Sequence, residues 1–121
     1  DIKKCEKLMS LCDGLSTTFH MAFDKCKNPI ESMRKIIDLG FDRILTSGGK
    51  NNVMDGLEFI EKLVDKSDDM ISIMPGSNLR SSNIDLFLKN NRIRDFHSSC
   101  YINGKFSIEE AKLINTKIKI F

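Results

Sequence analysis

A chain of 121 residues with 40% hydrophobic and 30% charged side chains has the size and composition of one ordinary globular domain, long enough to bury a core. Its 19 basic and 17 acidic residues are mixed along the length and leave a net charge of +2, which excludes the concentrated basic footprint of a nucleic-acid or anionic-lipid binder. No apolar run approaches the roughly 18 to 20 residues that cross a bilayer and no signal peptide precedes the first helical pattern, so a soluble protein without a membrane partner is expected.

The sequence starts at Asp1, without a methionine and directly in amphipathic material, and reads as a piece of a longer protein. Ile2, Cys5, Leu8, Met9 and Cys12 recur at helical spacing before Gly14, which predicts a helix with one buried face. Leu15 to Phe19 (LSTTF) is β-branched and helix-poor and reads as a strand, followed by a polar loop from His20 to Lys27. Asn28-Pro29-Ile30-Glu31 sets a proline and an acid in the first turn of a helix that buries Ile30, Met33, Ile36 and Ile37 and stops at Gly40.

Phe41 to Leu45 (FDRIL) is the next strand, with Thr46-Ser47-Gly48-Gly49 as a loop at its C-terminal end. Val53, Leu57, Ile60 and Val64 mark a third helix. Met70 to Met74 (MISIM) is a nearly continuous apolar run closed by Pro75-Gly76, the pattern of a strand buried on both faces. A helix capped by Ser81 or Ser82 carries Ile84, Phe87 and Leu88, and Ile93 to Phe96 begins a last strand ending in His97-Ser98-Ser99-Cys100. Asn103-Gly104 signals a turn, and Ser107-x-x-Glu110 forms a capping box for a final helix through Ala111, Ile114 and Ile118.

Strand starts near 15, 41, 70 and 93 lie 26, 29 and 23 residues apart, with one helix in each interval. Such alternation predicts an α/β fold of four consecutive parallel βα units, preceded by one helix, with right-handed crossovers. If the sheet is half of an eight-stranded TIM-type barrel, residues 1–121 are a partial barrel domain, since a complete one needs about 250 residues, twice what is here. The four cysteines, Cys5, Cys12, Cys26 and Cys100, show no CxxC pair, and no Asn-x-Ser/Thr site is present; both point to reduced thiols in a cytoplasmic protein. Cys5 and Cys12 read as core residues of the first helix.

Four segments carry a family resemblance. Thr18-Phe19-His20-Met21-Ala22-Phe23-Asp24, Leu39 to Gly49, Ile73-Met74-Pro75-Gly76 and Asp95-Phe96-His97-Ser98 resemble, in order and spacing, the CutC motifs TFHRAFD, LGFxRVLTSGG, a strand ending MPGGG, and EFHxS. The resemblance implies a cytosolic, often oligomeric TIM-type barrel associated with copper tolerance and copper binding. Three positions depart from it: Met21 stands for the family's arginine, Ser77-Asn78 for two glycines, and Ser98 for a cysteine, with Cys100 two residues on. On an extended strand Cys100 would share the side of Ser98.

Barrel enzymes gather their working groups at the C-terminal ends of the strands, where this chain presents His20, Asp24, Thr46, Ser47, Met74, His97 and Cys100. Cu(I) takes soft thiolate and thioether ligands and accepts imidazole, so His20, Met74, His97 and Cys100 form the candidate metal set. Each has a structural alternative: strand-end histidines satisfied by hydrogen bonds, a methionine filling the core, a small buried thiol. Ser47, Gly48, Gly49 and Gly76 are candidate anion binders through backbone amides, although no P-loop lysine follows; the alternative is a glycine-permitted turn. Asp24 and Asp95 are loose candidates for acid/base groups, and Asp24 would equally satisfy loop donors.

The leading expectation is a copper-binding, copper-homeostasis barrel. Two alternatives stay open: a barrel enzyme acting on a small anionic or carbonyl substrate through His20 or His97, and a degenerate half-barrel that associates with itself or with a missing N-terminal half.

Overall fold

The structure, a computed structural model, describes residues 1–120. Its elements follow in chain order: helix α1 (Ile2–Met9), strand β1 (Thr18–Phe19), a 3-10 turn (Met21–Lys25), α2 (Pro29–Asp38), β2 (Arg43–Thr46), α3 (Leu57–Ser67), β3 (Ser72–Pro75), the single-turn α4 (Asp85–Leu88), β4 (Tyr101–Ile102), β5 (Lys105–Phe106) and α5 (Ile108–Ile120).

FDRIL and MISIM contribute adjacent parallel strands, each displaced toward its C-terminal side, and the second is buried on one face only, with Met70 68% exposed. The sheet has the order β1-β2-β3, with Thr18 opposite Arg43, Arg43 opposite Ser72, Ile44 opposite Ile73 and Thr46 opposite Pro75. Because successive side chains on a strand point to opposite faces, this register sorts the residues into two sets. Ile44, Thr46, Ile73 and Pro75 are buried. Of these, Ile44 and Ile73 join Met33 and Ile36 of α2, Ile60, Leu63 and Val64 of α3, Phe87 of α4 and Ile114 of α5 in one hydrophobic core. Arg43, Leu45, Ser72 and Met74 form the other set and are half-buried. Among the described residues no helix layer covers that second face.

Asp42 fastens the N-terminal ends of β1 and β2 together. Its carboxylate accepts the Thr17 backbone amide at 2.6 Å and the Thr17 hydroxyl at 3.0 Å, while the Thr17 carbonyl accepts the amides of Asp42 and Arg43. These bonds favour the ionised carboxylate, and the Thr17 backbone bond is the largest cause holding its pKa below the ordinary 3.8.

Four expectations change. The first helix ends at Met9 instead of continuing to Cys12, and none of its residues is buried; Cys5 and Cys12 are half-buried, so neither is core. Amphipathic spacing creates a buried stripe only where a neighbour covers it, and Leu8 and Leu11 stay 62% and 75% exposed. The third helix begins at Leu57 and not at Val53, because a side chain at Gly56 would stand 1.8 Å from the Ser47 carbonyl oxygen and the chain must turn there first.

Ile93 to Phe96 does not form a regular fourth strand. The His97 amide donates to the Pro75 carbonyl at 3.0 Å, which lays this segment alongside β3, but no ladder develops. Its ends are held by side chains: Arg92 reaches Asp65, Asp69 and the Val64 carbonyl, and the Ser98 hydroxyl donates to the Leu79 carbonyl at 2.6 Å. At Cys100 the backbone takes a left-handed turn (φ 54°) into the hairpin of β4 and β5, closed by Asn103 and Gly104, both with positive φ. Finally, the capping box forms by half. The Ser107 hydroxyl accepts the Glu110 amide, but the Glu110 carboxylate turns to the Ser81 amide and hydroxyl, at 2.6 and 2.8 Å.

A carboxylate with a lowered pKa stabilises the fold above its ordinary pKa, and that contribution is lost as pH falls through the lowered value. Asp42→Asn is therefore expected to destabilise the protein at pH 7 in urea denaturation, with the gap to wild type closing as pH drops below 3.8. A gap that does not change with pH would contradict the assignment.

Candidate functional site

With all three strands parallel, their C-terminal ends share one edge, and the candidate residues can be placed along it. His20 follows β1 directly and caps the 3-10 turn: its Nδ1 accepts the Ala22 amide at 2.8 Å, which places the ring proton on Nε2 and turns that N–H outward from an exposed ring.

Asp24, in that same turn, reaches the loop after β2. Its carboxylate accepts the Thr46 hydroxyl, the Ser47 amide at 2.9 Å, the Ser47 hydroxyl at 2.8 Å and the Gly49 amide at 3.2 Å. The Gly48 amide donates to Thr46 Oγ1, and the Gly76 amide to the Thr46 carbonyl. Every amide of the expected anion cradle at Ser47, Gly48, Gly49 and Gly76 already has an internal acceptor. Asp24 lies beside these amides where an external anion would have to sit, and brings the negative charge itself. The glycines serve the turn. Gly48 has φ +73°, and a side chain there would stand 2.4 Å from the Gly56 carbonyl oxygen.

Met74 is half-buried, opposite Leu45 in the register on the face away from the core helices. His97 sits beside the end of β3 and is exposed. Gly76 makes room for it, because a Cβ at that position would lie 2.5 Å from Leu45 Cδ1 and 3.3 Å from His97 Cβ. Cys100 departs from expectation. It is 8% exposed and belongs to the hydrophobic core, since the left-handed turn at this residue takes it off any extended strand shared with Ser98.

His20 and His97 therefore occupy the same edge, at its two lateral ends. Three strand spacings separate their segments, roughly 14 Å across a sheet with strands about 4.8 Å apart. Among the described residues no three His, Cys, Asp or Glu side chains converge to hold a metal ion, so His20, His97 and Cys100 are not brought into one group.

Sequence reasoning passed over Arg80. In the loop after β3 its guanidinium donates to the Leu79 carbonyl at 2.7 Å, the Ser98 hydroxyl at 3.3 Å and the Tyr101 carbonyl at 3.0 Å, fixing the chain on the far side of His97. A cation just past a strand's C-terminal end was the available signal. Removing Asp24 tests the edge. Asp24→Ala strands the buried Thr46 hydroxyl and Ser47 amide and is expected to cost about 3 kcal/mol in chemical denaturation. A loss below about 0.5 kcal/mol would show that the loop holds its shape without the carboxylate.

The CutC family matches over residues 1–102. A CutC family protein of Pasteurella multocida is 39% identical over 99 residues, 82% of this chain and 41% of the relative. The copper homeostasis protein cutC homolog of Homo sapiens is 34% identical over 99 residues, 82% of this chain and 36% of its own. The crystal structure of a putative copper homeostasis protein CutC from Streptococcus agalactiae superposes with a TM-score of 0.73 at 29% identity, covering 80% of this chain and 48% of that one. The chain spans less than half the length of these relatives. On the extent of that match and on the identity to its relatives, the chain belongs to the CutC family.

Proposed function

We propose that the chain is the C-terminal half of a TIM-type barrel that takes part in copper homeostasis, holding Cu(I) at the rim where its strands end. The observation that carries this reading is the placement of both imidazoles, His20 and His97, at the same C-terminal edge of a parallel sheet. His20 would ligate through Nε2 in the tautomer that carries its proton on Nδ1, which gives up the bond from the Ala22 amide, and His97 through its exposed ring, with the Met74 thioether as the soft group on the intervening face. Cys100 has a smaller part in the proposal because its sulfur lies in the core. The remaining ligands would come from the rest of the barrel, since the two histidines stand at opposite ends of this half.

The uncovered sheet face supports the half-barrel. Leu45 and Met74 place half-buried apolar side chains on it, beside Arg43, which donates Nε to Thr18 Oγ1 at 3.0 Å. Parallel sheets are normally covered on both faces, so this face suits coverage by a further layer of barrel strands, from an N-terminal half or from a second copy. All four cysteines are free, which suits a reducing cytoplasm, and no described helix is long and apolar enough to cross a membrane. The reading of a barrel enzyme for an anionic substrate loses its main support, because Asp24 occupies the loop donors.

Anaerobic Cu(I) titration against a chromogenic chelator tests the rim. His97→Ala and His20→Ala are each expected to weaken competition about tenfold or more, in line with the loss of a metal-site partner. Wild-type competition in both variants would remove the histidines from the site.

A further inference from the structure

Cys5 and Cys26 are separated by a strand and a turn in sequence, yet both line one small cleft between α1 and α2. The cleft has a volume of about 130 Å³, and Asp1, Phe19, Ser32, Lys35 and Ile36 are among its other walls. Both thiols are free and half-buried, accessible to an ion but shielded from bulk water. Cys26 packs against the hydrophobic core at the end of the 3-10 turn. Cys5 sits on α1, an element with no buried residue of its own. This cleft is therefore a principal attachment of α1 to the rest of the fold.

The geometry points to a two-coordinate dithiolate site for a soft monovalent cation, Cu(I), bridging Cys5 of α1 and Cys26. The choice of ion rests on the copper reading above; the pairing of the two thiols rests on the cleft alone. Zinc asks for four ligands, and among the described residues no third His, Cys, Asp or Glu joins a cation-holding group. Cu(I) is satisfied by fewer, softer donors.

Binding involves no electron transfer. Each thiol releases its proton to solvent and donates a sulfur lone pair to the incoming Cu(I), so two neutral thiols and one cation become a complex of net charge −1. Lys35 lines the same cleft and brings a positive charge to it; its ammonium pairs with Glu31 at 2.8 Å. Loading would staple α1 onto α2 and β1, so metal occupancy would be read as the order of the first helix.

Two measurements on the full chain decide the matter. Dibromobimane, which fluoresces when it bridges two nearby thiols, is expected to join Cys5 to Cys26, as mapped by peptide mass spectrometry. In anaerobic Cu(I) titration, Cys5→Ser and Cys26→Ser are each expected to lose at least tenfold in affinity and the near-ultraviolet sulfur-to-copper absorption, while Cys12→Ser behaves as wild type. Thermal melts of the metal-free variants check that the serine changes leave the fold intact. No bimane bridge between the two residues, or unchanged copper binding in both serine variants, overturns the pair. Copper lost in His20→Ala and His97→Ala but kept in Cys5→Ser and Cys26→Ser overturns it while leaving the rim reading in place. The converse supports the pair and removes the rim, and a wild-type chain that takes up no copper ends both.

Discussion

The parallel pairing of β2 with a neighbour on each side is the constraint on which the rest of the structure depends. Parallel strands need a crossover between them, so each return of the chain places a helix on one face and brings every strand end to the same edge. His20, the loop from Thr46 to Gly49, Gly76 and His97 become neighbours along one rim for this reason, although up to 77 positions separate His20 from His97. An antiparallel β2 would scatter them to opposite ends of the sheet.

Asp24 then sets the form of that rim. A single carboxylate gathers the hydroxyls of Thr46 and Ser47 and the amides of Ser47 and Gly49, linking the turn after β1 to the loop after β2. The contact between Gly48 and Gly56 presses this loop onto the start of α3, and the Gly76 amide bonded to Thr46 extends the connection to β3. Such a rim is pre-shaped without any bound anion. What it leaves open are the outward positions: the rings of His20 and His97 and the half-buried side chains between them.

Local signals in the sequence were good guides wherever they decide structure by themselves. Pro29 at the start of α2, the Asn103-Gly104 turn and the apolar run before Pro75 each specify their own backbone, and each element is present. The same letters misled where a distant partner decides. Ser107 and Glu110 have the spacing of a capping box, but the competing donors of Ser81 take the carboxylate. Ile93 to Phe96 has strand-forming residues, yet a regular ladder fails between the side-chain anchors at Arg92 and Ser98. At the site, the strand-end histidines were legible because a βα repeat dictates where strand ends go. The fate of the Ser47 and Gly49 amides was not, since nothing local says that Asp24, more than twenty positions earlier, fills them.

The sheet's second face ties the architecture to the family. Arg43, Leu45, Ser72 and Met74 line it without a covering layer among the described residues, and relatives of this chain are more than twice its aligned length. A parallel sheet covered on one side only leaves apolar surface and strand edges open to association. Sedimentation equilibrium of the 121-residue chain at micromolar concentration tests this most directly. The account predicts a concentration-dependent mass above the 13.8 kDa of one chain. A folded monomer with a sharp unfolding transition at every concentration would contradict it.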